Sequence, residues 1–327
     1  MQNSKTITLV VVGLALITAF SFNFMNSADE PIDDSAEALV TIKINRSAVG
    51  TFQGLFIAEE LGYFRERGIQ LEMTIGNSPD TAIAELLSGT VHLAMTGASP
   101  MAAAVANGVP VLAVLNAQDQ SGDPRTTGLL VRSDSDIQSI TDLRGKKVGM
   151  PGIASPQTIA FLIELEKFDM TRDDVELVNL PFPGVLSAIE SGAVDAGMPV
   201  GLFYTVGIQQ DYRDFRTVYE NMAAAPAVLF AASKGWVEQN EDLLASFNEA
   251  MIMAYAYGNA NNDVIRRIDT EQTRQAADYI ATREIAPLVG SFDVDGWNLQ
   301  NQQMVEYGFM PRVPSPDEYI WSGAPRQ

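Results

Sequence analysis

Residues 85–100 read ELLSGTVHLAMTGASP, and this stretch decides the fold class of the chain. A helical pattern ends at Gly89, and the alternating residues 90–97 predict a strand. The Ser-Pro pair at Ser99 and Pro100 is typical of the start of a new helix. Helix, strand and helix joined by short turns form the repeating unit of a parallel α/β sheet.

The same alternation continues on both sides of this stretch. Upstream, ALVTIKINRS and IQLEMTI predict strands around a helix that ends at Gly68, and VPVLAVLNAQ predicts a strand downstream. The alternation of strands and helices begins again at Gly128. Further along, DFRTVYENM and APAVLFAASKG predict strands that return toward the first lobe, and helices follow them. We therefore predict two α/β lobes, each a mostly parallel sheet flanked by helices: residues 39–127 plus 226–327, and residues 128–225.

Two internal echoes support this duplication. LLSGTVHLAM, residues 86–95, resembles AIESGAVDAGM, residues 188–198, and in both a Ser-Gly turn leads into a short strand that ends in Met. MTGASP, residues 95–100, resembles MPGIASP, residues 150–156. We interpret both echoes as the same unit in matching positions of the two lobes.

The two Ser-Pro corners predict a clamp for a small anionic or strongly hydrogen-bonding group. Parallel sheets bind ligands at the carboxyl ends of their strands, and a helix N-terminus offers free N–H groups with a partial positive charge. The alternative is that each Ser-Pro pair merely starts a helix. The predicted contributions are helix caps from Ser99 and Ser155, first helical positions at Pro100 and Pro156, close approach at Gly97 and Gly152, and hydroxyls from Thr96 and Thr158.

Composition excludes several kinds of site. The chain has 327 residues and a net charge of −20, which argues against nucleic acid as a partner. It contains no cysteine, so it forms no disulfide, thiolate nucleophile or iron–sulfur site. Its one histidine, His92, leaves no basis for a histidine-rich metal site or a serine protease triad, and we expect it to make a structural hydrogen bond.

The N-terminus predicts export. A lysine near the start and the apolar run TITLVVVGLALITAFSF give residues 1–25 the character of a signal peptide, and an uncleaved anchor is the open alternative. Residues 26–38 are polar and acidic and predict a disordered linker. We therefore expect a periplasmic protein, exported and either free or tethered by its N-terminal helix.

Four blocks in this order carry a resemblance to a known family: residues 54–73, 85–100, 139–158 and 180–199. Over residues 40–325 the chain resembles the solute-binding proteins of bacterial ABC importers, in particular the nitrate/sulfonate/taurine-binding and thiamine-pyrimidine-synthase-like family. The resemblance implies a two-lobed periplasmic binding protein of type II (Venus-flytrap), a ligand cleft between the lobes, hinge closure and delivery to a membrane permease. Met198 stands where many members have an aromatic residue, which leaves the ligand open.

The resemblance also implies which residues line the cleft. Arg46 would face an anion, or alternatively form an ordinary surface ion pair, and Phe52, Phe182, Phe203 and Tyr204 would stack on a ring or belong to the core. The expected ligand-binding residues are Asn45, Arg46, Ser47, Phe52, Gln53, Thr96, Gly97, Ala98, Ser99, Gln118, Ile153, Ala154, Ser155, Gln157, Phe182 and Pro199.

These observations favour a binding protein that performs no chemistry and needs no metal or other cofactor. We expect a monomer that captures a small-molecule ligand, with ABC permease subunits as partners. A sulfonate, taurine or nitrate-like anion is the leading ligand, and a thiamine pyrimidine precursor or riboflavin is the alternative. A pyrimidine-synthase-like enzyme and a membrane-anchored sensor domain are the remaining hypotheses; the family's synthases, as the resemblance implies, need an active-site lysine and iron-binding cysteines.

Overall fold

The computed structural model describes residues 39–48, 50–76, 79–120 and 125–327, without the side chains of residues 79, 80 and 182. Residues 40–327 form one compact unit. The predicted export segment and the acidic linker lie outside the described residues. Within the described ranges, no helix is both long and apolar enough to cross a membrane.

The described residues form ten strands in two sheets. In chain order they are β1 (Val40–Arg46), β2 (Ile69–Ile75), β3 (Leu93–Gly97), β4 (Val111–Asp119), β5 (Leu129–Val131), β6 (Lys147–Met150), β7 (Glu176–Asn179), β8 (Ala196–Gly197), β9 (Arg213–Phe215) and β10 (Pro226–Ser233). The strand orders are β2-β1-β3-β10-β4 and β7-β6-β8-β5-β9.

Both sheets have the same topology. In the first, β1 pairs in parallel with β2 and β3, and β10 runs antiparallel to β3 and β4. In the second, β6 pairs in parallel with β7 and β8, and β5 runs antiparallel to β8 and β9. Each sheet is therefore mixed, with one reversed strand. Comparing the two strand orders position by position makes β6 the counterpart of β1, and β8 the counterpart of β3.

Helices flank both sheets. Those of the described residues are α1 (Gln53–Glu60), α2 (Pro79–Ser88), α3 (Ala98–Ala106), α4 (Pro156–Glu166), α5 (Phe182–Glu190), α6 (Leu202–Gln209), α7 (Lys234–Val237), α8 (Glu241–Ala260), α9 (Asn262–Gln272), α10 (Ala277–Thr282), α11 (Val294–Glu306) and α12 (Pro316–Tyr319).

The sheet topology separates the two internal echoes. LLSGTVHLAM spans the end of α2 and β3, and AIESGAVDAGM spans the end of α5 and β8, so the prediction of matching positions is confirmed for this pair. The prediction is wrong for the Ser-Pro corners. MTGASP follows β3, whereas MPGIASP follows β6, the counterpart of β1. Strand order depends on pairing between distant segments, which a local pattern does not reveal.

Two segments differ from their predicted secondary structure. The first helix ends at Glu60 rather than Gly68, because Gly62 adopts a positive φ of 78° and breaks it. Residues 214–222 do not form a strand toward the first sheet. Their start belongs to β9 in the second sheet, and a 3₁₀ helix follows, held by bonds of Thr217 and Asn221 to the buried Glu164 carboxylate.

His92 lies one residue before β3 and makes the structural hydrogen bond expected of it. Its Nδ1 accepts the backbone N–H of Lys43 at 3.2 Å, and its ring stacks on Trp236 with centroids 5.3 Å apart. Burial lowers the pKa of His92, and the nearby charge of Lys43 lowers it further, while Glu72 opposes both. The folded protein therefore favours the neutral form of this imidazole.

We expect His92 to make stability fall as the solution is acidified. Because its folded pKa lies below the unfolded value of about 6.5, the unfolded chain takes up the proton first, and the stabilisation present above that pH is lost below it. His92→Asn keeps a hydrogen-bond acceptor but does not titrate. Urea unfolding at a series of pH values measures this effect. As the pH falls, the free energy of unfolding should decrease less in the variant than in the wild type. Parallel pH profiles would contradict this.

Candidate functional site

The carboxyl edge of the first sheet collects most of the predicted ligand-binding residues of this half. β1 and β3 are parallel, and β4 runs in the same direction because both β3 and β4 oppose β10. Their carboxyl ends therefore meet at one edge, where ligands bind in open α/β sheets. The predicted residues at this edge are Asn45, Arg46, Ser47, Thr96, Gly97 and Gln118, with Phe52 and Gln53 at the adjacent start of α1.

Arg46 places a buried positive charge at this edge. It is 5% exposed, and its guanidinium carbon lies 4.5 Å from the ring centroid of Phe52 and 5.2 Å from that of Phe56. Nη1 donates to the carbonyl oxygen of Ser47 at 3.0 Å, and Nη2 donates to Oε1 of Gln272 at 3.4 Å. Within the described part of the chain it forms no ion pair with a carboxylate.

Among the described residues, this geometry contains no ordinary surface ion pair of Arg46. Burial lowers the pKa of Arg46, because desolvation disfavours the charged form. An arginine nevertheless remains protonated in proteins, so the site carries a positive charge. Cation–π contacts and neutral acceptors stabilise this charge only in part. A bound anion would supply a counter-charge that no described residue supplies.

Two other predicted residues of this edge are bound to partners within the same half of the molecule. Nδ2 of Asn45 donates to the carboxylate of Glu85. Nε2 of Gln53 donates to Oδ1 of Asp269 at 2.5 Å, and Asp269, 1% exposed, also pairs with Arg283 at 2.5 Å. These amides fix the loop after β1 and the start of α1, and so hold the segment that carries Arg46.

Two of the four aromatic side chains predicted to stack on a ligand are buried inside the protein. Phe52 is fully buried beneath Arg46, and Tyr204 is 6% exposed with its hydroxyl donating to Oδ2 of Asp214 at 2.9 Å. Phe203 is half-buried. Phe182 begins α5, and its side chain is outside the described part of the structure.

The corner after β3 differs from the prediction that Ser99 caps a helix. α3 begins at Ala98, the extended Gly97 occupies the N-cap position, and Ser99 lies inside the first turn. The helix therefore starts two residues earlier than predicted, Pro100 is not its first residue, and the Ser99 hydroxyl is bound elsewhere. Its oxygen accepts Nε2 of Gln300 at 2.9 Å, and Oε1 of Gln300 accepts Nε2 of Gln120 at 2.5 Å.

The corner after β6 is built as predicted. Ser155 is the N-cap of α4, with its side-chain oxygen accepting the backbone N–H of Thr158 at 3.2 Å, and Pro156 occupies the first helical position. Gly152 has a φ of 98°, which requires glycine, and its carbonyl oxygen accepts the Thr158 hydroxyl at 3.1 Å. Thr158 is fully buried, so it braces the corner rather than reaching a ligand.

The helices that start at the two corners pack in one hydrophobic cluster. Ala102, one turn after Ser99, and Ile159, one turn after Ser155, belong to a cluster that also contains Met304 from α11. The two corners are therefore held by one C-terminal segment, although they occupy different positions in their sheets.

The remaining predicted residues divide into buried framework and accessible groups. Ala98 and Pro199 are buried, and the Pro199 carbonyl accepts the Thr127 hydroxyl at 2.8 Å. Ile153 is half-buried and Ala154 is exposed. Gln118 and Gln157 are half-buried, one in each half of the molecule.

Two hydroxyl groups of the first half of the chain are buried without a partner among the described residues. Thr96 is 4% exposed and Thr51 is 6% exposed, and neither Oγ1 makes a hydrogen bond there. Thr96 was predicted as a site residue, whereas Thr51 was missed even though it lies in the turn between a predicted strand and helix. Gln272 and Gln300 were also missed, and nothing local to their sequence distinguishes them. The described residues contain no acidic or histidine cluster that could hold a metal ion.

Comparison with known proteins gives consistent likenesses. A family model described as NMT1/THI5 like matches residues 50–263. The formylaminopyrimidine-binding protein of Halalkalibacterium halodurans is 25% identical over 80% of this chain and 77% of its own. The taurine-binding periplasmic protein of Escherichia coli is 23% identical over 62% of each chain.

Two further likenesses concern an enzyme and a solved structure. A 4-amino-5-hydroxymethyl-2-methylpyrimidine phosphate synthase of Aspergillus parasiticus is 30% identical, but over only 49% of this chain and 45% of its own. The crystal structure of the periplasmic aliphatic sulphonate binding protein SsuA from Escherichia coli matches with a TM-score of 0.71 at 19% identity. That match covers 87% of this chain and 98% of the other.

Proposed function

The chain belongs to the NMT1/THI5-like family and has the two-lobed fold of the periplasmic binding proteins, and we propose that it captures a small organic anion for an ABC importer. The lobes are residues 39–127 with 226–327, and residues 128–225. The ligand lies between them, outside the cytoplasm, and a membrane permease receives it. The taurine-binding relative supports a sulfonate as the ligand class.

The observation that carries the anion is Arg46. A guanidinium that is 5% exposed, without a carboxylate partner among the described residues, lies where ligands bind in this kind of sheet. Charge-assisted hydrogen bonds to sulfonate or carboxylate oxygens would offset its desolvation. Thr51 and Thr96 add buried hydroxyls with unused hydrogen-bonding capacity.

The mechanism we propose is closure without chemistry. A ligand that contacts both lobes stabilises the closed form over the open one, and so shifts the population toward it. Two observations support a binding role over an enzymatic one. The sequence contains no cysteine, and Nδ1 of His92 is bound by a backbone N–H. The closed form then docks on the permease.

A neutral heteroaromatic ligand is the second candidate. It is favoured by one observation, the likeness over 80% of the chain to a protein named for binding formylaminopyrimidine. Such a ligand would draw its affinity from stacking and hydrogen bonds rather than from Arg46.

Thermal melts of the full chain distinguish the two ligands. A ligand that binds only the folded state raises the melting temperature by several degrees once its concentration exceeds its dissociation constant about a hundredfold. We expect ethanesulfonate or taurine to produce this shift, and Ser99→Ala combined with Ser155→Ala to abolish it. A shift with a pyrimidine alone would replace the anion proposal by the second candidate, and no shift with any of them would reject both.

A further inference from the structure

A chain of buried amides connects Ser99 to the segment that joins the two sheets. Gln120 directly follows β4, and its backbone N–H donates to the carbonyl oxygen of Ala225 at 2.9 Å. Its side-chain Nε2 donates to the carbonyl oxygen of Ala223 at 3.1 Å and to Oε1 of Gln300 at 2.5 Å. Nε2 of Gln300 then donates to the Ser99 hydroxyl oxygen at 2.9 Å.

The three polar side chains of this chain are shielded from water. Gln120 is 7% exposed, Gln300 is 1% exposed and Ser99 is 6% exposed. Solvent therefore does not compete for these bonds, and a reversed amide would leave donor facing donor in a site of low polarity, which is costly.

The Ala223 carbonyl sets the direction of every bond in the chain. A carbonyl oxygen only accepts, so the Gln120 side chain must present Nε2 to it. Nε2 of Gln120 also faces the Gln300 side chain, so Gln300 must present its acceptor Oε1 there. The Nε2 of Gln300 then points toward Ser99. Reversing either amide would oppose two donors or two acceptors. The orientation thus follows from the hydrogen-bonding network rather than from the appearance of the amides.

The orientation of the Gln300 amide determines where the single hydrogen of the Ser99 hydroxyl can point. Its oxygen already accepts from Gln300, and the hydroxyl donates to no other group of the described chain. Thr96, three residues earlier near the end of β3, carries a second buried hydroxyl without a partner among the described residues. The turn between β3 and α3 therefore holds unused hydrogen-bonding capacity beside the free N–H groups of a helix start.

We infer that the Gln120–Gln300 chain turns the Ser99 hydroxyl so that its hydrogen is available to a ligand, and that the ligand atom which takes this hydrogen at the corner is an acceptor. Sulfonate, carboxylate and carbonyl oxygens can accept this hydrogen, whereas ammonium and amide N–H groups cannot accept it. Gln300 and Gln120 are positioning residues in this scheme, since they act through Ser99. The inference rests on the proposed function and refines it by naming the chemistry that one corner of the site selects.

The decisive variant is Gln300→Glu, with ethanesulfonate as the probe. An ionised glutamate only accepts, so it would turn the Ser99 hydrogen away from the ligand. Protonation restores a donor at this position, and burial raises the pKa of such a carboxyl above its usual value of about 4.3. We expect binding on the order of tenfold weaker than wild type at about pH 8, and recovery toward the wild-type value at about pH 5. Binding equal to wild type throughout would overturn the inference.

Two controls separate the hydrogen-bond effect from simple charge repulsion. Gln300→Met removes the amide without adding charge, and its binding should be weaker than wild type by a factor that does not change with pH. In a Ser99→Ala background, Gln300→Glu should cost little further affinity, because the hydroxyl it acts through is gone. An undiminished loss in that background would assign the effect to repulsion and reject the role of Ser99.

A measurement without ligand tests the hydrogen-bonded series Gln120–Gln300–Ser99 even if ethanesulfonate does not bind. Melting temperatures of Ser99→Ala, Gln300→Met and the double variant should be non-additive, because each single change removes the same hydrogen bond. Additive shifts in melting temperature would show that Gln300 and Ser99 are not coupled by this hydrogen bond, and would reject the inference. Wild-type protein that binds no anion, together with non-additive melts, would instead reject the proposed function and leave the internal geometry intact.

Discussion

Arg46→Met is expected to reduce the affinity for the anionic ligand by about a hundredfold or more without destabilising the ligand-free protein. Truncating one partner of a buried charge pair typically costs about 2–5 kcal/mol of binding free energy. The ligand-free protein, in contrast, loses a desolvated charge that has no carboxylate partner among the described residues. Replacing a buried charge by an apolar side chain of similar volume is often neutral or stabilising.

Arg283→Met is the matched control for that experiment. Arg283 is also a largely buried arginine, but it pairs with Asp269, which is 1% exposed. Its removal leaves a buried carboxylate without its cation and should lower the free energy of unfolding by about 3–5 kcal/mol. Isothermal titration and urea unfolding of both variants give the comparison. If Arg46→Met unfolded as easily as Arg283→Met, or bound the anion as wild type does, the charge at Arg46 would be structural.

Sequence patterns predicted those parts of the site that depend on a few neighbouring residues. The cap at Ser155 succeeded because Pro156 and Thr158 supply everything the turn requires. Likewise β1 was predicted because alternation along a single strand reports its burial. The match between LLSGTVHLAM and AIESGAVDAGM succeeded for the same reason, since each contains its own helix end, turn and strand.

Apart from the early end of α1, which follows from Gly62, the failures involve contacts between segments far apart in the chain. Ser99 carries the same Ser-Pro pair as Ser155, but its hydroxyl is engaged by Gln300, which lies 201 residues away. Residues 214–222 have strand-like composition, yet the buried Glu164 draws Thr217 and Asn221 into a 3₁₀ helix. Arg46 was recognised as an anion candidate, but that no carboxylate among the described residues pairs with it becomes visible only in the three-dimensional structure.

Gly296→Ala is expected to destabilise the protein by about 3 kcal/mol or more, although alanine normally improves a helix. Gly296 lies in the first turn of α11, and a Cβ atom built on it would lie 1.7 Å from the carbonyl oxygen of Ala224. The obstacle is backbone rather than the flexible end of a side chain. Ala224 precedes β10 in the segment that returns from the second sheet to the first, so either α11 or this segment must move.

Gly235→Ala shows whether that effect comes from the contact or from glycine in a helix. Gly235 lies in α7 without a positive φ, and no atom lies within 4 Å of a Cβ built there. Alanine at this position should leave stability unchanged or raise it by up to about 1 kcal/mol. Urea unfolding of both variants should therefore give changes of opposite sign. The same displacement would disturb the Ala223 carbonyl that orients Gln120, so Gly296→Ala should also weaken anion binding in any molecules that remain folded. Equal, small effects of the two substitutions would mean that α11 is free to shift away from the returning segment.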